Sequence, residues 1–398
     1  MKFKIVLVFL VITLFVNLQA QERTKMQELN SIISKIKNEY AKDKRTSIFD
    51  ITIVGYDNIF SISGMTNLPD AKNKLIDDAK TKGIEIVDKI ELLPVKELNG
   101  KTYGIINLSC ANFRTKPDHD QELSTQALLG TPIKVYKKDA SGYYLVQTPD
   151  NYISWLDDDG FQLMTKNEFD DWNKAKKIFY LKEYGFSYSE PNENSERVSD
   201  LVVGNILKFV EKVEKYVKVQ YPDNRIAYVK ADECIDYEQW INELNPTKES
   251  ILSTARKFMG IPYLWGGTSS KTMDCSGFTK MVYYLHGIIL ERDASLQVHT
   301  GELIDTKDGF ENLQLGDLLF FGTKSPDRER ITHVAIYIGS LEFIHSAGRV
   351  RINSFDKNKE NFSPYRLSHF IKAKRILTSI DKNGINTVKT NKFYKGEI

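Results

Sequence analysis

The chain has 398 residues, 41% hydrophobic and 27% charged, with only 11 prolines; this composition excludes a disordered or collagen-like polymer, and the length implies two to four domains of ~100–150 residues. Fifty-five Lys and Arg against 53 Asp and Glu leave a net charge of +2, and the interspersed signs produce no field that would draw the chain onto nucleic acid.

Lys2 and Lys4 precede an apolar run over residues 5–16 that ends near Leu18-Gln19-Ala20, with small Ala20 before polar Gln21. This pattern predicts a secretory signal peptide over 1–20. A dozen apolar residues fall short of the ~20 that span a bilayer as a helix, so an exported protein, periplasmic or secreted, is expected without stable membrane insertion. No Cys follows Ala20, so no lipid-attachment box is visible. Of the three cysteines, Cys110, Cys234 and Cys275, at least one stays unpaired within the chain, and spacing alone leaves a Cys110–Cys234 bridge open.

Residues 26–97 predict a small α/β unit: helix 26–40, strands 48–54 and 59–62, helix 71–82 with Leu75, Ile76 and Ala79 on one face, and strand 84–90. Nothing in this unit carries obvious chemistry. Next come two copies of one module, over 98–165 and 176–240. Gln147-Thr148-Pro149-Asp150-Asn151-Tyr152 aligns with Gln220-Tyr221-Pro222-Asp223-Asn224-Arg225 at an offset of 73, and Leu128-Leu129-Gly130 with Val202-Val203-Gly204 at an offset of 74. Short alternating strands, such as 133–136 and 143–147, broken by Pro-Asp-Asn turns predict small β-barrels, and the segments resemble bacterial SH3-like domains. Helical linkers are expected at 168–175 and 237–244.

From 247 to 378 the pattern becomes helix first, then strands. Residues 250–259 read as a helix; Phe278, Met281, Val282 and Leu285 follow helical spacing, with Gly287 as the stop. Strands at 318–321, 332–338 and 341–345 complete an α+β domain. A lysine-rich tail over 379–398 is unassigned.

Asp274-Cys275-Ser276-Gly277 immediately precedes the amphipathic helix, so the Cys275 thiol sits at a helix N-terminus, where free N–H groups and the macrodipole favour a thiolate. His333 is a lone polar ring in an apolar strand. Its number and that of His345 sum to twice 339, so a hairpin turning around Gly339 would set the two rings opposite each other, a base and a group to orient it. No metal-ligand spacing appears, Gly266-Gly267 lacks the Lys-Ser/Thr of a phosphate loop, and no cofactor is implied.

Five segments in order, Pro262-Tyr263-Leu264-Trp265-Gly266-Gly267, Asp274-Cys275-Ser276-Gly277-Phe278, Gly316-Asp317-Leu318-Leu319-Phe320-Phe321, His333-Val334-Ala335-Ile336-Tyr337-Ile338-Gly339 and His345-Ser346-Ala347, resemble the successive motifs of the NlpC-type cell-wall cysteine peptidases. With the tandem SH3-like modules, the resemblance extends over 98–378 and points to the murein γ-D-glutamyl-L-diamino acid dipeptidyl-peptidases. It implies a papain-like domain with Cys275 as nucleophile, His333 as base and His345 as orienting residue. By the same resemblance Tyr263 and the Cys275 backbone N–H hold the oxyanion, Asp274 and Ser276 line the groove, and Asp293 and Ser295, from the Arg292-Asp293-Ala294-Ser295 stretch, contact substrate. Tyr152 and Glu122 are the residues most similar to those that read the free amine of an N-terminal L-Ala. Tyr152 aligns with Arg225 in the second module, so the barrel does not itself demand Tyr there; Glu122 aligns with Glu196, as a shared module feature would. The implied partners are murein-derived peptides; the rival readings are an endopeptidase or amidase acting on intact peptidoglycan, and an inactive wall-peptide-binding protein.

Overall fold

Residues 1–98 pack as one unit and residues 99–398 as another in the computed structural model. Met1, Asp57, Asn58 and Asp327, and the side chains of residues 2–19, 55, 56 and 59, lie outside the described residues; the apolar run of the expected signal peptide is thus described by its backbone alone. No helix among the described residues is long and apolar enough to cross a membrane.

In the first unit, helix α1 (Lys2–Tyr40) runs unbroken through residue 20. It is followed by β1 (Phe49–Tyr56), its antiparallel neighbour β2 (Ile59–Thr66), the crossover helix α2 (Pro69–Thr81) and β3 (Ile86–Leu92), parallel to β2. Leu29, Ile33 and Ile36 recur at helical spacing on α1 and share a core with Ala71, Leu75 and Ala79 of α2 and with Phe60, Ile62 and Ile90 of the sheet.

The second unit opens with β4 (Tyr103–Ile106), β5 (Cys110–Arg114), β6 (Leu123–Leu128), β7 (Pro132–Lys138), β8 (Tyr144–Gln147), β9 (Ile153–Leu156) and β10 (Phe161–Met164). Helix α3 (Lys166–Lys174), begun by a Thr165/Glu168 capping box, leads to β11 (Lys177–Tyr180), β12 (Tyr184–Tyr188), β13 (Arg197–Val202), β14 (Ile206–Val213), β15 (Tyr216–Gln220), β16 (Ile226–Lys230) and β17 (Cys234–Asp236). The first sheet has the order β10-β4-β7-β8-β9-β5-β6 and the second, read from its other end, β17-β11-β14-β15-β16-β12-β13. Strand for strand these are the same topology. The repeat holds at the level of single bonds: the turn at 148–152 closes with Thr148 N donating to Tyr152 O (3.0 Å), and its copy with Tyr221 N donating to Arg225 O (2.9 Å). Asn151 (φ 63°) and Asn224 (φ 70°) both take the left-handed conformation that the turn requires.

After α4 (Tyr237–Glu243) the last part comprises α5 (Lys248–Lys257), the short hairpin β18 (Thr268–Ser269) and β19 (Thr272–Met273), α6 (Cys275–Tyr284), β20 (Ile288–Ile289), α7 (Ala294–Gln297), β21 (Glu302–Ile304), β22 (Leu318–Ser325), β23 (Arg328–Gly339), β24 (Glu342–Ala347), β25 (Arg349–Ser354), α8 (Pro364–Ser368), β26 (Phe370–Arg375) and β27 (Asn386–Thr387). Its main sheet has the order β21-β26-β22-β23-β24-β25. Leu318 to Phe321 and Val334 to Ile338 are buried without alternation because both faces are covered. Leu318, Phe320, Val334 and Ile336 join the core containing α6, while Leu319, Phe321, Ala335 and Tyr337 join an aromatic cluster with Phe343 and Phe355. The Gly316-Asp317 pair is structural: buried Asp317 accepts from Gln314 N (2.8 Å) and pairs with Arg375 of β26 (2.8 Å).

One difference from the sequence reading stands out. The hairpin does not turn symmetrically about Gly339. Ile336 pairs with Ile344 and Tyr337 with Phe343, a bulge follows, and Gly339 pairs with Glu342, so the loop is Ser340-Leu341, both at positive φ (51° and 60°), as a two-residue hairpin turn demands. His345 is consequently a diagonal neighbour of His333, not its direct opposite. All three cysteines are free, which closes the bridge that spacing had left open. The unassigned tail packs onto the unit: β27 pairs with β20, Ile385, Val388 and Phe393 are buried, and Asn391 Nδ2 donates to Pro149 O (2.8 Å). The same turn of the first barrel is held from α6 by an ion pair between Lys280 and buried Asp150.

Phe393→Ala removes a ring that is 2% exposed and is expected to cost about 3 kcal/mol, read as a fall in Tm of roughly 5 °C for a unit of this size. An unchanged melting curve in scanning calorimetry would mean that the tail carries no stability.

Candidate active site

Helix α6 begins at Cys275 because Asp274 caps it: the carboxylate accepts from Gly277 N (2.7 Å) and from Gly266 N (2.9 Å). Gly277 is required by close approach, since a Cβ there would lie 2.0 Å from Gly267 O. Arg292, with no exposed surface, closes on Asp274 with two bonds (2.6 and 3.1 Å), donates to Ser276 Oγ (3.0 Å) and reaches Thr125 Oγ1 of the first barrel (2.8 Å). Cys275 is 7% exposed. Burial, and then the Asp274 carboxylate, push its thiol up to about 12, against the pull of the Val334 N–H and of Arg292. The helix N-terminus alone would favour the thiolate; here desolvation opposes it.

Cys275 faces β23, with its sulfur at the backbone N–H of Val334, the residue after His333. His333 Nε2 and His345 Nδ1 are 2.7 Å apart, and His345 Nε2 lies 2.9 Å from Asn353 Oδ1 of β25. The proton positions follow from the far end. Asn353 Nδ2 donates to Asn361 O (2.9 Å), which turns Oδ1 toward His345; His345 Nε2 therefore carries a proton and Nδ1 accepts. His333 Nε2–H then donates to His345, which leaves His333 Nδ1 with its lone pair free to act as a base. Burial holds His333 well below the usual imidazole range, with further contributions from His345 and Arg366, and brings His345 down to about 3. Burial thus opposes charge on both the thiol and the imidazole.

Tyr263 is half-buried, and its hydroxyl is held in the acid form first by burial and then by the proximity of Cys275 and Asp274. Cys275, His333, His345, Tyr263, Asp274 and Ser276 therefore gather in one place. Asp293 stands at the N-cap of α7, where its backbone oxygen accepts from Leu296 N and Gln297 N (both 2.8 Å); Ser295 is half-buried in that helix. Tyr152 is buried in the first barrel and lies within the electrostatic reach of Arg292. Glu122 is exposed; its backbone oxygen accepts from Thr115 N (3.0 Å), as that of Glu196 does from Ser189 N (2.8 Å). Its neighbour Leu123 abuts the loop before Cys275, where Gly266 (φ +81°) has room only for hydrogen: a Cβ would meet Leu123 O at 2.5 Å. Thr268 N donates to Gln126 Oε1 (2.8 Å) across the same contact. Sequence reasoning missed Asn353, Arg292 and Arg366. Only Arg292 left a usable signal, as a charge beside the polar stretch assigned to the cleft.

Residues 260–370 match the NlpC/P60 family, and residues 113–161 match the bacterial dipeptidyl-peptidase Sh3 domain. A gamma-D-glutamyl-L-lysine dipeptidyl-peptidase of Bacillus cereus is 31% identical over 232 residues, 56% of this chain and 67% of the relative. The chain belongs to the NlpC/P60 family. It is a cysteine peptidase of that family. Dipeptidyl-peptidase 6 of Lysinibacillus sphaericus is 27% identical over 275 residues, 64% of this chain and 92% of its own. A crystal structure of an NlpC/P60 family protein from Bacillus cereus shares the fold, with a TM-score of 0.59 and 24% identity over 69% of this chain and 99% of that one.

A base whose pKa is lowered stays unprotonated to lower pH, so the acid limb of kcat/KM is expected below 6.5, the ordinary value for His. A limb at or above 6.5 in a pH–rate profile would contradict the desolvated base. Asn353→Ala removes the acceptor that fixes the relay; kcat is expected to drop roughly 10- to 100-fold, toward the ~10²–10⁴-fold worth of a general base, with the melting temperature nearly unchanged.

Proposed function

We propose that this peptidase hydrolyses the γ-D-Glu–L-diamino acid bond, with L-Lys or meso-diaminopimelate, of cell-wall peptides that carry a free N-terminal L-Ala, and releases L-Ala-γ-D-Glu. The observation that carries the reading is the first barrel seated on the loop before Cys275 through Gln126 and Leu123, with Thr125 bonded to Arg292. A groove bounded at that end by a barrel suits a short released peptide with a free amine, and relatives named as dipeptidyl-peptidases support the same substrate class.

In this reaction the Cys275 sulfur attacks the γ-carbonyl while its proton passes to His333 Nδ1. The imidazolium is stabilised through the His345–Asn353 chain, which costs no reorganisation because it is already bonded. The Cys275 backbone N–H and the Tyr263 hydroxyl hold the oxyanion. His333 then gives its proton to the leaving α-amine, a thioester forms, and water activated by the same nitrogen releases the dipeptide. Tyr152, Glu122, Asp274, Ser276, Asp293 and Ser295 line the substrate side of this reading. The charged start and apolar run over 1–20 support export to the periplasm or beyond.

Mass spectrometry with L-Ala-γ-D-Glu-L-Lys and its N-acetylated form tests this directly. Release of L-Ala-γ-D-Glu from the free-amine peptide alone is expected. Cleavage of both would discard the amine gate, and cleavage of neither, with intact peptidoglycan digested instead, would favour an endopeptidase or amidase. Cys275→Ala is expected to abolish turnover; an unchanged rate removes the nucleophile assignment.

A further inference from the structure

The site holds a cation that the proposed reaction does not use. Arg366, on α8, is half-buried. Its guanidinium carbon sits 5.6 Å from the centroid of the Phe321 ring, and that ring lies 5.7 Å from the His333 ring. Phe321 is also the residue paired with His333 across β22 and β23. Arg366 therefore stands on the face of the sheet that carries the base. Among the described residues its guanidinium has no hydrogen bond and no ion pair; its close contacts are the rings of Phe321 and Tyr365. Arg292, the other buried arginine of the site, is by contrast fully paired with Asp274.

Across the Phe321 ring the guanidinium acts on both reacting partners. It disfavours a proton on His333 and favours negative charge at Cys275 and Tyr263. A half-buried cation without an anionic partner, this close to the reacting groups, offers a place for an anion brought in by the substrate. The substrate class supplies such an anion close to the scissile bond: a γ-linked D-Glu keeps its α-carboxylate free, and a diamino acid at the end of the peptide has a carboxylate of its own.

Resting on the reading under Proposed function, we propose that Arg366 is a specificity-determining residue that binds a carboxylate of the substrate next to the scissile bond, either that of the D-Glu or that of the residue beyond it. The pairing gives affinity through a charge-assisted bond. An arginine suits the task because its planar fork matches a carboxylate and never loses its charge.

The experiment compares the wild-type protein with Arg366→Gln and Arg366→Lys on three peptides: L-Ala-γ-D-Glu-L-Lys, its C-terminal amide, and the analogue in which the D-Glu α-carboxylate is an amide. The wild type is expected to prefer the parent over one of the amides by roughly 10- to 100-fold in kcat/KM, the range for a hydrogen bond to a charged group. In Arg366→Gln that preference collapses toward unity, and Arg366→Lys recovers part of it; which amide is discriminated identifies the carboxylate. Melting curves of the variants control for folding. If Arg366→Gln lowers all three rates by one common factor, or keeps the wild-type preference, the proposal is overturned while the peptidase reading stands. If the wild type cleaves none of the three, the underlying reading fails and this one with it.

Discussion

The buried pair of Asp274 and Arg292 is the interaction on which the rest of the site depends. One carboxylate caps the helix that begins at Cys275, ties down the loop at Gly266 and receives a guanidinium that also grips Thr125 of the first barrel. Two charges taken out of water are costly, and such a pair holds only when its remaining donors and acceptors are satisfied. Here they are, and removing either partner alone would leave a buried charge, a penalty of about 3–5 kcal/mol. The position of Cys275, the course of the Gly266 loop and the seating of the barrel are thus one problem with one solution. The negative charge that organises the site also raises the thiol's pKa, and Arg292 offsets part of that cost.

Burial opposes charge on both the Cys275 thiol and the His333 imidazole in the resting site. What is stored instead is orientation. The Asn353–His345–His333 chain fixes each proton in advance, so that the free lone pair of His333 is at Nδ1 before any substrate arrives. Preorganised dipoles of this kind lower the barrier without further rearrangement.

Much of this was legible in the sequence because it lay in contiguous pattern. Asp274 through Gly277 followed by a 3.6-residue apolar period signals a capped helix, and Pro-Asp-Asn repeated at an offset of 73 signals a duplicated turn. What was illegible depends on tertiary context. Counting about Gly339 gave the wrong register because a bulge consumes a residue without marking itself in the pattern. Asn353 is one polar residue on a strand, and only the diagonal pairing of β24 with β25 brings it to His345. The tail escaped because Ile385, Val388 and Phe393 are scattered among lysines with no period, each filling a gap left by a different element.

The duplicated turn carries a different side chain in each copy. At position 152 the side chain is turned inward near the groove, while at position 225 its counterpart reaches back to Asn107 O (3.1 Å) and joins the two barrels. The backbone bond that shapes the turn is the same in both copies and is indifferent to which side chain follows. The shape of the turn therefore does not dictate the residue that follows it; the surroundings do, with Arg292 within electrostatic reach in one copy and Asn107 O in the other.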